Sequence, residues 1–319
     1  MGMGLYTILN QINLSKIDLL FPRKNNKGRK PYLRSALILA LLVRELRGIL
    51  GYEQLEEFLN GHACWARLCG FNDGKIPDAT LFCKFLKSLD LERLVMIQKI
   101  ILAELQRLEL LSTDWAMDSE VLPACLWDKE AKWGHTNNPH ARLPKEKLEY
   151  GYRIHVIVDT KTGLPLAVIV TPGNTDEYSQ AIPLLNDATI SPFEKLRYLQ
   201  PSHVIADKGY DSREIRDFIR FLRAKDIIPQ REMTGIKIRY ERRWKYRYKK
   251  RTTVERFHSR LNTLVDLQKF RVTGLDAVTK WVNLAVTAML IAALWAVHKR
   301  KRRKASRTKE IYRDIVRCG

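Results

Sequence analysis

The chain has 319 residues, and 56 Lys and Arg against 35 Asp and Glu give it a net charge of +21. That length holds one large domain and a smaller one. The cation excess calls for a polyanionic partner, nucleic acid ahead of an anionic membrane surface. Five cysteines with no CxxC pair argue against a disulfide framework and fit a reducing cytosol. His62, Cys64 and Cys69 lie close together but lack a second ligand pair at zinc-finger spacing.

The N-terminus has no cationic stretch followed by a long apolar run, so no signal peptide is expected. Residues 1–31 read as a lead-in ending in the basic loop PRKNNKGRKP. From Tyr32 the pattern is helical. SALILALLVRELRGIL is apolar enough for burial on most faces, and Gly48 and Gly51 break it. GYEQLEEFLN and ACWARLCGF follow as short helices. Asp78 is the expected N-cap of ATLFCKFLKSL, and Leu91–Leu111 repeats apolar residues at three and four. This all-helical region, 32–111, suits helix-turn-helix DNA binding or a packing and dimerisation bundle.

The pattern changes at Ser112. STDWAMDSEVLPAC reads as a strand around Asp118, and Asp128–Lys147 as a long basic loop. Tyr150–Asp159 and Leu164–Thr171 are strands joined by the turn TKTG, with Tyr152, Ile154, Val156 and Val158 on one face. EYSQAIPLLNDA is helical, and HVIAD is a short strand ending in Asp207. SREIRDFIRFLRAKD is a helix capped by Ser212, and DIIPQR is another strand. Strand, hairpin, helix, strand, helix, strand, helix is a mixed α/β layer fold. The apolar segment 281–298 sits at the short end for a bilayer and contains Asn283 and Thr287, so a buried core helix is expected rather than a membrane span. The α/β domain then covers 112–298, and 299–319 is a basic tail.

Arg239–Asn262 is the densest feature. Eight Lys and Arg alternate with four aromatics from Arg239 to Arg251, and a helical pattern carrying Glu255 starts near Thr252. Lys and Arg neutralise phosphates and aromatic rings stack on bases. The candidate DNA contacts here are Trp244, Arg247, Tyr248, Lys249, Lys250, Arg251 and Arg260, with Lys208 beside Asp207. Glu255 alone reads as an ion-pair partner of Arg251 or Arg256. With Asp118 and Asp207, each within or at the end of a strand, it reads as the third carboxylate of a two-metal site for phosphodiester chemistry. Asp114 and Asp211 are neighbouring acids that compete with Asp118 and Asp207 for those roles. Mg²⁺ suits such a site, because a few carboxylates hold it while waters and phosphate complete its shell.

These residues also carry a family resemblance. AMDSEVL, the DKEAKWG and YGYRIHVIVDTKTGLPL run, HVIADKGYDS and YKKRTTVERFHSRLN resemble, in order, the motifs of DDE transposases of bacterial and archaeal insertion sequences. The resemblance spans roughly residues 30–298. It implies a ribonuclease-H-like mixed sheet flanked by helices, preceded by an all-helical N-terminal domain. It implies Asp118, Asp207 and Glu255 as catalytic metal ligands, with two Mg²⁺ (or Mn²⁺) ions. Tyr248, Arg251 and Glu255 fit the family's third motif, which often has a Lys seven residues after the Glu; here that position is Asn262. The implied partners are DNA, as element terminal inverted repeats and target, and a second copy of the chain on that DNA, with no membrane. The implied place is the cytoplasm, at the nucleoid. The competing functions are a catalytically inactive, transposase-derived DNA-binding protein and a ribonuclease-H-like nuclease without strand transfer.

Overall fold

The computed structural model describes residues 32–72, 74–136, 143, 147–190, 199–231, 239–265 and 272–298. The expected lead-in over 1–31, the tail over 299–319 and part of the expected loop after His135 lie outside the described residues. The chain divides into two compact units, residues up to Leu102 with those from Lys280, and Ala103–Thr279.

The first unit is helical. Helix α1 (Arg34–Arg47) buries twelve of its fourteen residues, because its sequence is apolar on every face. It ends at Gly48, whose left-handed backbone (φ 67°) lets the amides of Gly48 and Ile49 return to the carbonyls of Glu45 and Arg44. Its one buried charged pair is internal, Arg44 Nε donating to Glu45 Oε1 at 3.1 Å. Helices α2 (Tyr52–Gly61), α3 (Ala63–Cys69), α4 (Ala79–Ser88) and α5 (Leu91–Arg107) follow. Asp78 caps α4, accepting the Leu81 amide at 2.7 Å.

The second unit is built on one sheet. Its strands are β1 (Asp114–Pro123), β2 (Lys132–His135), β3 (Leu148–Asp159), β4 (Pro165–Pro172), β5 (His203–Ile205) and β6 (Lys225–Ile227). β1 runs antiparallel to β3 with Asp118 opposite Val156, β3 runs antiparallel to β4, and β1–β5 and β5–β6 are parallel. The order β4-β3-β1-β5-β6, with these directions, is the ribonuclease-H-like arrangement. Helices α6 (Glu177–Thr189), α7 (Arg213–Phe221), α8 (Arg242–Tyr248), α9 (Thr252–Val265) and α10 (Leu275–His298) complete the chain, and α6 and α9 pack on β3.

Two sequence expectations change here. The segment after Asp128 is not all loop, because β2 pairs with the start of β3, Lys132 opposite Gly151. The strand expected over DIIPQR is only Lys225–Ile227. β2 and β4 share one edge of β3 end to end, and Gly134, Gly151 and Gly173 meet where they join. A Cβ on any of the three would lie 2.0–2.3 Å from a backbone oxygen of a neighbouring segment. The turn after β3 is tied down by Asp159, fully buried, which accepts the amides of Ser112 and Thr162 at 2.7 Å each.

The second unit and the expected 112–298 domain differ over Lys280–His298, which groups with the helical unit. Gln98 explains why: its Nε2 donates to the Asn283 carbonyl (3.0 Å), to Asn283 Oδ1 (3.0 Å) and to Thr287 Oγ1 (3.2 Å). Residues Leu275–Val297 are long and apolar enough to cross a membrane, but 89% of the window that qualifies is buried in the fold, as in a core helix.

Candidate active site

An open cavity of about 1250 Å³ lies along β1 in the second unit. Six carboxylates line it, Asp118, Glu120, Glu149, Glu177, Asp207 and Glu255, against two guanidiniums, Arg153 and Arg251. In a chain of net charge +21 this is a local reversal of sign.

Asp118 projects from the middle of β1, its side chain only 8% exposed. Its Oδ1 accepts the Ser119 amide at 3.0 Å and its Oδ2 accepts Arg251 Nη1 at 2.7 Å. Burial pushes its carboxyl up to about 7, Arg251 opposes that, and Glu177 and Asp207 add to it. Asp207 follows β5 as the cap of a short 3₁₀ turn, Lys208–Tyr210, its Oδ1 accepting the Gly209 amide at 2.7 Å. Glu177 opens α6 and turns into the same space. One oxygen from each of Asp118, Glu177 and Asp207 lies within 4.8 Å of the others, and among the described residues no other such group of His, Cys, Asp or Glu is found. Three hard oxygen donors this close, two of them half-buried and one buried, fit a divalent cation.

Glu255 stands apart from that cluster. It lines the cavity from α9, is 58% exposed, and receives Arg251 Nη2 at 3.4 Å. The ion pair that the sequence allowed is therefore present, and Arg251 spans Asp118 and Glu255. Before it, α8 and the 3₁₀ turn Lys249–Arg251 carry the basic and aromatic run. Tyr240, Trp244 and Tyr248 recur every fourth residue and stack along one side, with ring centroids 3.9 and 5.0 Å apart. Tyr248 is the end nearest the acids. Burial pushes its phenol up, Arg251 opposes this, and Asp207 and Asp118 add to it.

The other named cations divide. Lys208 and Lys249 are exposed and Arg247 is half-buried. Lys250 Nζ lies 2.7 Å from Asp114 Oδ2, and Arg260 donates to the Gly163 carbonyl in the β3–β4 turn. Asp114 is thereby separated from Asp118: burial alone would raise its carboxyl, but hydrogen bonds from Lys250 and His203 hold it below the usual range. Asp211 is likewise tied to Arg216, at 2.8 Å. Asn262 lines the cavity and hydrogen-bonds Glu120. His258, buried, lines the cavity with them, its Nδ1 3.4 Å from Glu120 Oε2, and burial pushes its ring down to about 3.

A family model described as Transposase DDE domain matches residues 112–291. The chain belongs to the DDE transposase family. A second model, Transposase domain (DUF772), matches residues 4–88. A Burkholderia cepacia protein assigned as the transposase for insertion sequence element IS402 is 31% identical over 103 residues, 31% of this chain and 46% of that one, so the match spans under half of the relative. Among solved structures, the chain resembles the piggyBac transposase synaptic complex with hairpin DNA at 10% identity and a TM-score of 0.39, covering 98% of this chain and 77% of that one. It also resembles the Mos1 transposase paired-end complex with left transposon end at 14% identity and a TM-score of 0.23, covering 78% and 84%.

Members of this family use divalent metal, and the acids found here fit that use. Glu177 is the acid that sequence reading missed. It sits in the first turn of a helix beside its cap Asp176, where an acid is expected for helix stability alone. Only the fold shows that this helix start and Asp118 border one space.

Proposed function

We propose that this chain binds the ends of a DNA mobile element and catalyses metal-dependent strand cleavage followed by strand transfer into target DNA. The observation that carries this is the meeting of Asp118 and Asp207 with Glu177 in a cavity that Arg251 and Glu255 also line, directly after the basic, aromatic helix α8 in the chain. In this reading Asp118 and Asp207 hold Mg²⁺, or Mn²⁺ in its place, and Glu255 completes a two-ion site. The metal supplies polarisation of the attacking oxygen and charge relief on the leaving one.

The protein's own groups do the rest. Arg251 exchanges its bond to Asp118 for a backbone phosphate, leaving the carboxylate for metal. Lys208, Arg247 and Lys249 take phosphates along the strand, and Trp244 and Tyr248 brace the end of the duplex. Lys250 and Arg260 join only by giving up Asp114 and the Gly163 carbonyl. Two copies pair two element ends, in the cytoplasm at the nucleoid.

The test is incubation of the purified chain with a duplex carrying its element's end and Mg²⁺ or Mn²⁺. Cleavage with a free 3′-OH, followed by joined product, is expected. A chain that binds DNA in a salt-dependent way but never cuts under either metal would be the inactive DNA-binding protein instead, and cut ends without joined product would mark a nuclease.

A further inference from the structure

The family's three acids leave one carboxylate of the inner cluster without a role. Glu177 is held by Arg153 and Ser119: Oε1 accepts Arg153 Nη1 at 2.7 Å, and the Ser119 hydroxyl hydrogen-bonds the same carboxylate. The same nitrogen donates to Ser119 Oγ at 3.0 Å, on the residue next to Asp118. Arg153 is buried, and its other nitrogens are committed as well, Nε to the Gly173 carbonyl (3.3 Å) and Nη2 to the His135 carbonyl (2.7 Å). A guanidinium tied at all three nitrogens does not follow the carboxylate; it decides where the carboxylate sits.

The second oxygen of Glu177 lies toward Gly209 and Asp207. A Cβ built on Gly209 would lie 3.7 Å from Glu177 Oε2 and 2.9 Å from Asp207 Oδ1, so both oxygens border the same small space. A purely structural ion pair gains nothing from two further carboxylates within 4.8 Å. Three carboxylates against two guanidiniums, Arg153 and Arg251, leave repulsion that the cations do not cancel. The arrangement makes sense for a ligand presented one oxygen at a time.

We propose that Glu177 contacts the metal together with Asp118 and Asp207, as a fourth carboxylate beside the family's three, and that Arg153 is its positioning residue. The proposal rests on the reading that this cavity is the site of metal-dependent cleavage. It assigns the acids different tasks. Glu177 is in place before metal arrives, while Glu255, exposed on α9 and paired to Arg251, is recruited when Arg251 turns to DNA.

The experiment uses the full chain and four variants, Glu177→Gln, Arg153→Lys, Glu255→Gln and Asp118→Asn. Mn²⁺ binding is followed by electron paramagnetic resonance without DNA, with thermal melting in the absence of metal and cleavage of the end duplex alongside. Glu177→Gln is expected to weaken Mn²⁺ binding at least tenfold and cleavage at least a hundredfold, without a drop in metal-free melting temperature. Glu255→Gln is expected to change DNA-free Mn²⁺ binding by less than threefold. Arg153→Lys is expected to weaken Mn²⁺ binding and to regain cleavage at saturating Mn²⁺, which Glu177→Gln does not. Wild-type Mn²⁺ affinity in Glu177→Gln, with or without a lower melting temperature, overturns the proposal. Wild-type cleavage by Asp118→Asn would instead overturn the reading of the cavity itself.

Discussion

The acids of the cavity and the basic, aromatic helix α8 that leads to its edge are built by opposite means. Asp118, Glu177 and Asp207 come from a strand, a helix start and a strand end, elements fixed by the sheet, and each side chain has a hydrogen bond that fixes its direction. The outer run, α8 through Glu255, lines the cavity only with Arg251 and Glu255, and α8 itself buries no residue. Its order comes from ring-on-ring stacking and from Arg251 reaching across to Asp118. The inner acids are crowded by like charge, so a divalent cation stabilises them. The outer run is exposed and cationic, so a polyanion stabilises it. Metal and DNA should therefore act on neighbouring surfaces, the cavity and the run before it, and Arg251 is where they are coupled.

The sharpest break in that contrast is removal of an inner acid. Asp207→Asn is expected to lower end cleavage by about a thousandfold or more, with DNA affinity little changed, because metal stabilisation of the reacting oxygens is worth several kcal/mol. Gel-shift and cleavage assays on the same preparation check both halves. Next comes Glu255→Gln, for which we expect about a hundredfold loss of cleavage and a metal-free melting temperature within about 1 °C of wild type, since so exposed a side chain contributes little to stability. A large melting shift would mean that Glu255 belongs with the inner acids.

Arg251→Ala tests the coupling. It leaves the buried Asp118 carboxylate without its cation, and a loss of about 1–3 kcal/mol in urea unfolding is expected, partly recovered by added Mg²⁺. A smaller effect is set by acid. His258 on α9 and His155 on β3 are both pushed down by burial, to about 3 and about 4. Folded, they stay neutral where the unfolded chain takes up protons. Stability present above about pH 6.5 is lost as pH falls toward 4 and 3, at up to about 1.4 kcal/mol per pH unit for each ring. Unfolding of His258→Gln followed between pH 7 and 4 should show a shallower decline. The least disruptive change is Lys249→Ala. It should weaken DNA binding modestly on every sequence and reduce the slope of log affinity against log salt by about one. Lys250→Ala should give a smaller slope change, because Lys250 is already paired with Asp114.

The sequence showed the strands of the hairpin, the caps at Asp78 and Ser212, and Asp118 on its strand, because each rests on local chemistry; the strand expected to end in Asp207 stops at Ile205, and Asp207 caps the turn after it. It did not show β2, four residues with three exposed side chains whose pairing partner is the start of β3. Nor did it separate the cations. Lys249 and Lys250 are adjacent and chemically identical, and only the fold brings Asp114, 136 residues away, against one of them. Glu177 stayed hidden for the same reason. An acid in the first turn of a helix is ordinary until Asp118, Asp207 and a buried Arg153 surround it. Alternation on β3 also said less than expected, because Arg153 and His155, between the apolar positions, are buried too.

The glycine junction at Gly134, Gly151 and Gly173 reaches further than its own strands. The Gly173 carbonyl holds Arg153 Nε, and the carbonyl of His135, next to Gly134, holds Arg153 Nη2. A methyl group added at any of the three glycines would push backbone apart where Arg153 is anchored. In a random-mutagenesis screen for lost transposition, these three codons should therefore score like active-site codons, although none of them encodes a reactive group.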